Sequence, residues 1–380
     1  MKKPASTPIN SRPIGKSVLK WTVLAVLVAL FAWFQFAYWS STNDCNRSIP
    51  VEAERMKAIR YCEYGAPDDV LKVEQVEKPV PNDNQVLVRV HAVSLRFYDG
   101  GMLEGGIGRL IFGLRKPKNT CPGSDFSGTI ERVGRNVTEF KPGDEVFGVR
   151  AGCLAQYICV RQTGAIASKP ANVNFEQAAS IPTALVSLQG LRDTGRVKAG
   201  QKVLINGASG GVGMFAVQIA KAFGAEVTGV CSTRNVELVR SIGADHVIDS
   251  TKEDFTKSDQ RYDVIYDLVN NRSFAERRRI LKAGGICVLA GVGGSGMHKD
   301  TLSNMAGAFA ASFRSKFGNE KFVAFGVDIN KKDLGVLRDL TESRKMMPAL
   351  TKTYPLTETA AAYKYLETGH VQGKIAITVE

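Results

Sequence analysis

The sequence predicts an α/β protein that combines a β-rich domain with a doubly wound parallel sheet, preceded by an N-terminal transmembrane helix. Three observations lead to this prediction. Short strand-like runs fill residues 57–180, strands and helices alternate after residue 181, and an apolar run covers residues 18–39. Strands that alternate with helices are typical of a parallel sheet covered on both faces.

The apolar run at residues 18–39 has the length of roughly 20 residues that a helix needs to cross a bilayer. Trp21 near one end and Trp39 at the other suit the aromatic belts of a membrane. A cleaved signal peptide and a buried core helix are the alternatives, but a signal peptide ends in small residues, whereas this run ends in bulky aromatic ones. We therefore predict a single-pass membrane protein that keeps its anchor and has the membrane as a partner.

Composition excludes several other classes. The chain has 380 residues, enough for more than one domain, and 50 Lys and Arg against 37 Asp and Glu. No nucleic-acid module accompanies this basic excess, so we expect no nucleic-acid partner and interpret the charge as a solvated face. The seven cysteines are scattered and odd in number, which does not indicate a disulfide framework.

The two regions after the anchor differ in their periodicity. The first has turn signals between predicted strands at residues 70–76, 85–93, 127–133, 145–149 and 154–160. The second alternates predicted strands at 202–206, 226–231, 246–249, 263–268 and 286–290 with helices between them. The final run at 375–379 is predicted to return to the β-rich domain.

A glycine-rich turn follows the first strand of the second region and precedes a helix. Residues 208–213 form an A-x-G-x-x-G variant of the dinucleotide fingerprint. Gly210 would let the backbone approach a pyrophosphate, Gly213 would let the helix pack closely on the strand, and the helix N-terminus would attract the phosphates. A plain tight turn is the alternative. The predicted cofactor-binding residues here are Ala208, Ser209, Gly210, Gly211, Val212 and Gly213.

The end of the next strand indicates which nucleotide binds. An NAD site places Asp or Glu there for the ribose 2′-hydroxyl, but this chain has Ser232, Thr233 and Arg234. Two hydroxyls and a guanidinium suit a 2′-phosphate, so we predict NADPH as the cofactor. The alternative is that Arg234 is an ordinary exposed residue at the start of a helix.

The orientation of the predicted anchor stays open. Basic residues before the span place the N-terminus in the cytoplasm, and Asn46 is a candidate glycosylation acceptor just past it. This orientation puts the enzyme domain on the other side of the membrane. NADPH, however, is supplied mainly in the cytosol, which favours an enzyme domain on the cytosolic side.

Several stretches identify a family resemblance: residues 86–92, 122–128, 140–148, 241–249 and 373–375, together with the glycine turn. From about residue 56 to 380 the chain resembles the medium-chain dehydrogenase/reductase superfamily, in its zinc-free quinone oxidoreductase-like branch. The resemblance implies a GroES-like catalytic domain and a Rossmann NADPH-binding domain. The corresponding division is 1–55 for the N-terminus, span and linker, 56–178 with 322–380 for the GroES-like domain, and 179–321 for the Rossmann domain.

The resemblance also implies further site residues and the reaction class. Gly291 and Val292 would lie near the nicotinamide, and Lys374 would approach the cofactor from the other domain. Zinc-dependent members have Gly-His-Glu where this chain has Gly123-Ser124-Asp125, so we predict no metal. Hydride transfer from NADPH to a quinone or an activated alkene or carbonyl compound is then expected.

The chain departs from the family pattern at two positions. Relatives commonly have Asn-Pro where this chain has Arg96-Phe97, and often Tyr where it has Ser250. Arg96 could stabilise negative charge on a carbonyl oxygen or fill the pocket. We predict that Arg96 and Tyr98 face the substrate and assign no general acid.

The sequence leaves three functions open. The first is a membrane-anchored, zinc-independent NADPH reductase of small molecules, compatible with a homodimer. The second is a nucleotide-binding regulatory protein with little catalysis, which Arg96-Phe97 keeps under consideration. The third is an enoyl-thioester reductase.

Overall fold

Two large sheets form the body of the protein in the computed structural model, which describes residues 16–39, 42–45, 48–105, 109, 113–291 and 321–379. The strands are β1 Arg55–Arg60, β2 Lys72–Glu77, β3 Gln85–Ser94, β4 Asp125–Val133, β5 Glu145–Val149, β6 Tyr157–Arg161, β7 Ile166–Ser168, β8 Lys202–Asn206, β9 Glu226–Cys231, β10 His246–Asp249, β11 Tyr262–Asp267, β12 Leu281–Leu289, β13 Lys321–Ala324, β14 Leu350–Pro355 and β15 Lys374–Thr378. The helices are α1 Lys16–Trp39, α2 Pro67–Val70, α3 Phe97–Glu104, α4 Phe175–Ser180, α5 Ala184–Gln189, α6 Gly213–Ala222, α7 Val236–Ser241, α8 Phe274–Ile280, α9 Lys331–Glu342 and α10 Thr359–Glu367.

The β-rich domain is built on a seven-stranded sheet in the order β14-β15-β3-β4-β5-β7, with β6 paired to β3 outside this path. Strand β3 lies at its centre and is antiparallel to β4, β6 and β15. The pairing of Ala376 with Ser94 brings the C-terminal strand back to this sheet, which confirms the predicted return.

The second sheet is parallel, and its six strands run in the order β10-β9-β8-β11-β12-β13. This is the doubly wound 3-2-1-4-5-6 order, in which ligands bind where the order reverses, between β8 and β11. Strand β8 shows why the sequence predicted it: Val203, Leu204 and Ile205 are all fully buried, as expected of a strand covered on both faces. The predicted α/β fold with GroES-like and Rossmann domains is therefore confirmed. The predicted domain boundary between residues 321 and 322 falls inside β13, which pairs with β12 of the parallel sheet.

The prediction about the membrane needs correction. Helix α1 covers the apolar run, but no helix in the described part of the chain is both long enough and apolar enough to cross a bilayer, which takes roughly 20 apolar residues. The predicted single-pass membrane localisation is therefore wrong, and the predicted transmembrane helix and membrane partner have no support. The candidate glycosylation residue Asn46 lies outside the described residues.

A disulfide that the sequence did not indicate joins Cys45 to Cys62, with their Cα atoms 5.9 Å apart. The amide of Asn43 donates to the carbonyl of Cys62, and Arg60 pairs with Asp44. These contacts hold the segment before β1 against the end of that strand. The odd, scattered cysteines concealed this one pair, because spacing alone does not show which cysteines meet in space.

Candidate active site

The glycine turn joins the C-terminal end of β8 to helix α6. Gly207 has a φ of +90°, a conformation that glycine adopts without strain. Gly213 is the first residue of α6, and a Cβ atom there would lie 2.0 Å from the carbonyl oxygen of Gly207. Only glycine therefore lets α6 start this close to the turn, which is the packing role the sequence predicted for Gly213.

A cavity of about 650 Å³ opens above this turn at the point where the strand order reverses. Both domains line it, so it lies in the cleft between them. The described residues that line it include no Asp or Glu but three cationic residues, Arg96, Arg234 and Lys374. Such a lining favours a ligand that carries phosphate groups.

Most of the predicted cofactor residues line this cavity: Ser209, Gly210, Gly211, Val212, Gly213, Ser232, Arg234, Gly291 and Lys374. Ala208 is fully buried beneath the turn and does not line it. Thr233 is also not among the lining residues, and its hydroxyl donates to the Asp249 carboxylate at 2.7 Å. Val292 lies outside the described residues.

The end of β9 is organised by Asn235, a residue that the sequence interpretation missed. Its side-chain amide donates to the hydroxyls of Ser209 at 2.8 Å and Ser232 at 3.2 Å. Its carbonyl oxygen accepts from Gln372 of the other domain at 2.6 Å. Asn235 thus links the glycine turn, the predicted 2′-phosphate residues and the GroES-like domain. In the sequence, only its position at the start of a helix could have pointed to this role.

Arg96 lines the cavity, but a carboxylate holds its guanidinium. The Nε atom donates to Asp125 Oδ2 at 2.8 Å, and Nη2 contacts Asp125 Oδ1. Asp125 is fully buried and also accepts from the Thr183 hydroxyl at 2.8 Å. The predicted role of Arg96 towards the substrate thus meets a competing partner that the sequence did not reveal.

The segment around Arg96 begins helix α3, where an acidic residue caps the helix. Asp99 Oδ2 accepts from the backbone N–H of Arg96 at 2.8 Å. Burial raises the pKa of Asp99 to about 6, although the Arg96 N–H and the Arg96 charge oppose that rise. Tyr98, the other predicted substrate-facing residue, lies in the first turn of α3, and its side chain is outside what the structure describes.

Lys374 crosses from one domain to the other inside the cavity. Its Nζ atom donates to the Leu95 carbonyl at 2.6 Å and to the Thr183 hydroxyl at 2.9 Å. A Cβ atom on Gly211 would lie 2.8 Å from Lys374 Cδ, so the side chain passes directly over the glycine turn. Burial lowers the pKa of Lys374 to about 8, against an opposing effect of Asp125.

A second buried ion pair supports the far wall of the cavity. Asp267 at the end of β11 accepts from Arg277 Nε at 2.6 Å and from Asn206 Nδ2 at 2.8 Å. It also caps the loop that follows by accepting from the backbone N–H of Asn270. The sequence analysis interpreted the basic excess of the chain as a solvated face, but the side chain of Arg277 is only 5% exposed. This arginine is therefore structural.

The described residues contain no group of three or more His, Cys, Asp or Glu side chains that could hold a metal ion. Histidine is the commonest metal ligand in proteins, but two histidines here have protein partners: His91 Nε2 lies 3.0 Å from the Thr129 hydroxyl, and His246 Nε2 lies 3.2 Å from Glu226 Oε1.

Known proteins similar to this chain cover nearly all of it. Residues 82–171 match the alcohol dehydrogenase GroES-like domain family, and residues 242–377 match the zinc-binding dehydrogenase family. The chain is 33% identical over 372 residues to the NADPH-dependent alkenal/one oxidoreductase of Arabidopsis thaliana, which covers 94% of this chain and 87% of the relative. It is 32% identical over 325 residues to the quinone oxidoreductase of Mus musculus, covering 81% and 93% respectively. The solved structure of the quinone oxidoreductase from Coxiella burnetii superposes with a TM-score of 0.74 at 30% identity, covering 86% of this chain and 100% of that one.

Proposed function

The chain belongs to the medium-chain dehydrogenase/reductase superfamily, in its quinone oxidoreductase-like branch, and on that premise we propose that it transfers hydride from NADPH to a quinone or an activated alkene or carbonyl compound without a catalytic metal. The observation that carries the proposal is the cavity between the two domains. It joins the glycine turn to an apolar pocket, and its described lining residues include no carboxylate.

The choice of NADPH rests on the end of β9. Ser232, Arg234 and Ser250 line the cavity there, where an NAD site would have a carboxylate. The Ser250 hydroxyl is turned to the Cys231 carbonyl at 3.0 Å, so Ser232 and the exposed Arg234 are the groups best suited to a 2′-phosphate. Their chemistry fits the dianion of NADPH better than the neutral ribose hydroxyl of NADH.

The acceptor is proposed to occupy the apolar part of the cavity. Phe97, Val186, Phe325 and Val327 contribute to its lining. Apolar and aromatic walls with a few polar groups are typical of sites for flat, weakly polar molecules, such as quinones and enones. Such acceptors are electron-poor, so hydride can add to them without a metal to polarise a carbonyl.

The protein's own part in the reaction is to bind and orient the cofactor and the acceptor and to exclude water from the site. NADPH, when bound, supplies the hydride. The backbone N–H groups at the start of α6 would hold the diphosphate, and Gly210 leaves room for it to approach. The apolar walls would keep water away from the reacting carbon atoms.

A substrate panel tests the proposal. Purified protein mixed with NADPH and either 1,4-naphthoquinone or a short 2-alkenal is expected to oxidise NADPH well above background, and exhaustive chelation followed by metal analysis is expected to leave that rate unchanged. Tight NADPH binding with no turnover of any acceptor would favour the regulatory alternative. Turnover only of 2-enoyl thioesters would favour the enoyl-thioester reductase. Loss of activity on chelation would contradict metal independence. The homodimer stays a prediction.

Arg234→Ala is expected to weaken NADPH binding about tenfold while leaving NADH binding nearly unchanged, because one charge-assisted contact to a phosphate contributes roughly 1.5 kcal/mol or more. Titration of protein fluorescence with each nucleotide measures both affinities. Arg135→Ala is the matched control, since that side chain is 79% exposed and pairs with Asp83 away from the cavity. Equal affinity of the parent protein for NADH and NADPH would sink the assignment.

A further inference from the structure

The buried ammonium group of Lys374 lies between the glycine turn and the segment that precedes helix α3. Lys374 is 4% exposed, and its side chain, Leu95 and Thr183 all line the cavity. The side chain runs over Gly211, so it lies beside the turn that would carry the cofactor. This position by itself does not indicate a role in the chemical step, whereas the hydrogen bonds of the ammonium group do.

The described hydrogen-bond partners of Lys374 are both neutral. Nζ donates to the carbonyl of Leu95 and to the hydroxyl of Thr183. An ammonium group has three N–H donors, so these two acceptors leave one donor for a ligand in the cavity. Asp125, the nearest carboxylate along this chain of contacts, is already bound to Arg96 and Thr183. No carboxylate among the described residues is bonded directly to the buried Lys374 ammonium.

Three charged groups face Lys374 from the elements around it. Arg96 disfavours its protonated form, whereas Asp125 and Asp99 favour it, and burial outweighs them all. The resulting pKa of about 8 keeps the ammonium protonated near neutral pH. An acid of this strength gives up its proton far more readily than an exposed lysine, and a general acid is most effective when its pKa lies near the working pH.

We propose that Lys374 is the proton donor of the reduction, a role that rests on the proposed function. When hydride from the reduced nicotinamide adds to the acceptor, an electron pair is left on its carbonyl oxygen or α-carbon. That pair takes a proton from Lys374 Nζ: one N–H bond breaks with its electrons left on nitrogen, and one O–H or C–H bond forms. The neutral amine regains a proton from water. The acceptor gains one hydride and one proton in total.

Two variants separate proton donation from simple charge. Lys374→Met removes the ammonium, and Lys374→Arg keeps a cation that does not deprotonate in proteins. Both variants are expected to lose about 100-fold or more in kcat with a quinone or an enone, the lower range for a general acid. Lys332→Met, on an exposed lysine of helix α9, is the control and is expected to match the parent. NADPH affinity, measured by fluorescence titration without substrate, is expected to stay within a few-fold of the parent for Lys374→Arg.

The pH dependence gives two further readouts. In the parent, kcat/KM is expected to fall as pH rises through about 8, because the donor loses its proton, and both variants are expected to lack this limb. Unfolding supplies a readout without turnover. The folded pKa lies below the ordinary value of 10.5, so the unfolded chain binds more protons between these values and the free energy of unfolding rises with pH across that window. Lys374→Met is expected to lose that rise.

The outcomes distinguish a failure of proton donation by Lys374 from a failure of the proposed reductase function. Near-parental kcat in Lys374→Arg would overturn proton donation and leave only a role for charge. A parent profile that is flat through pH 8 would overturn it as well, even if Lys374→Met failed to fold. If the parent itself reduces no acceptor while binding NADPH, the proposed function fails instead.

Discussion

Asp125→Ala is expected to lower the free energy of unfolding by about 3–5 kcal/mol, the usual cost of removing one partner from a buried ion pair. The carboxylate is fully buried and holds both the guanidinium of Arg96 and the hydroxyl of Thr183. Without it, the cationic groups of Arg96 and Lys374 lose the favourable charge of this carboxylate. Chemical denaturation monitored by fluorescence measures the loss.

Two companion variants show whether the loss comes from an unpaired charge. Asp83→Ala breaks an ion pair with Arg135 in which both partners are exposed, and it is expected to cost less than about 1 kcal/mol. Adding Arg96→Met to Asp125→Ala is expected to recover part of the stability, because one of the two cations beside the missing carboxylate is then gone as well. A loss below about 1 kcal/mol in Asp125→Ala would show that the site relaxes without this carboxylate.

Gly213→Ala is expected to destabilise the protein by about 1–3 kcal/mol, as overpacking does, and to abolish measurable NADPH binding. The new Cβ atom would lie 2.0 Å from the carbonyl oxygen of Gly207, so the turn and the start of helix α6 must move apart. In the proposed site the phosphates would bind the N–H groups at this helix end, and a displaced end would no longer present them correctly. Thermal unfolding and nucleotide titration measure the two effects.

Gly210→Ala is the matched control within the same turn. The nearest described atom to a Cβ there is the Gly207 carbonyl oxygen at 3.6 Å, an ordinary contact, so the fold is expected to keep its stability. NADPH affinity is still expected to fall, because the methyl group would occupy the face proposed for the pyrophosphate. If Gly213→Ala proved as stable as Gly210→Ala, the close approach of α6 to the turn would not be the reason for glycine at position 213.

Local spacing was enough to predict much of this protein. The apolar run Val203 to Ile205 predicts a buried parallel strand, and the following glycines predict a phosphate-binding turn, because each signal lies within a few neighbouring residues. The absence of Asp or Glu just after β9, which predicts NADPH rather than NADH, is also a signal within a few neighbouring residues. The return of the last strand was also predicted, and its pairing with β3 confirms it.

The apolar run near the N-terminus shows the limit of such local signals. Its length and its terminal aromatic residues predicted a membrane anchor, yet no described helix meets the requirements for crossing a bilayer. Apolar composition is shared by membrane spans and other helices, so it is weak evidence by itself.

The sequence alone therefore determined the two-domain α/β architecture and the class of cofactor, since periodicity and turn chemistry are properties of adjacent residues. Only the tertiary structure decided which partners the charged side chains meet. Arg96 and Asp125 are 29 positions apart, and Lys374 and Leu95 are 279 apart. The pairing of a buried charge depends on which strands and loops the fold brings together, and no local pattern records it. The same reason hid the Cys45–Cys62 disulfide and the burial of Arg277.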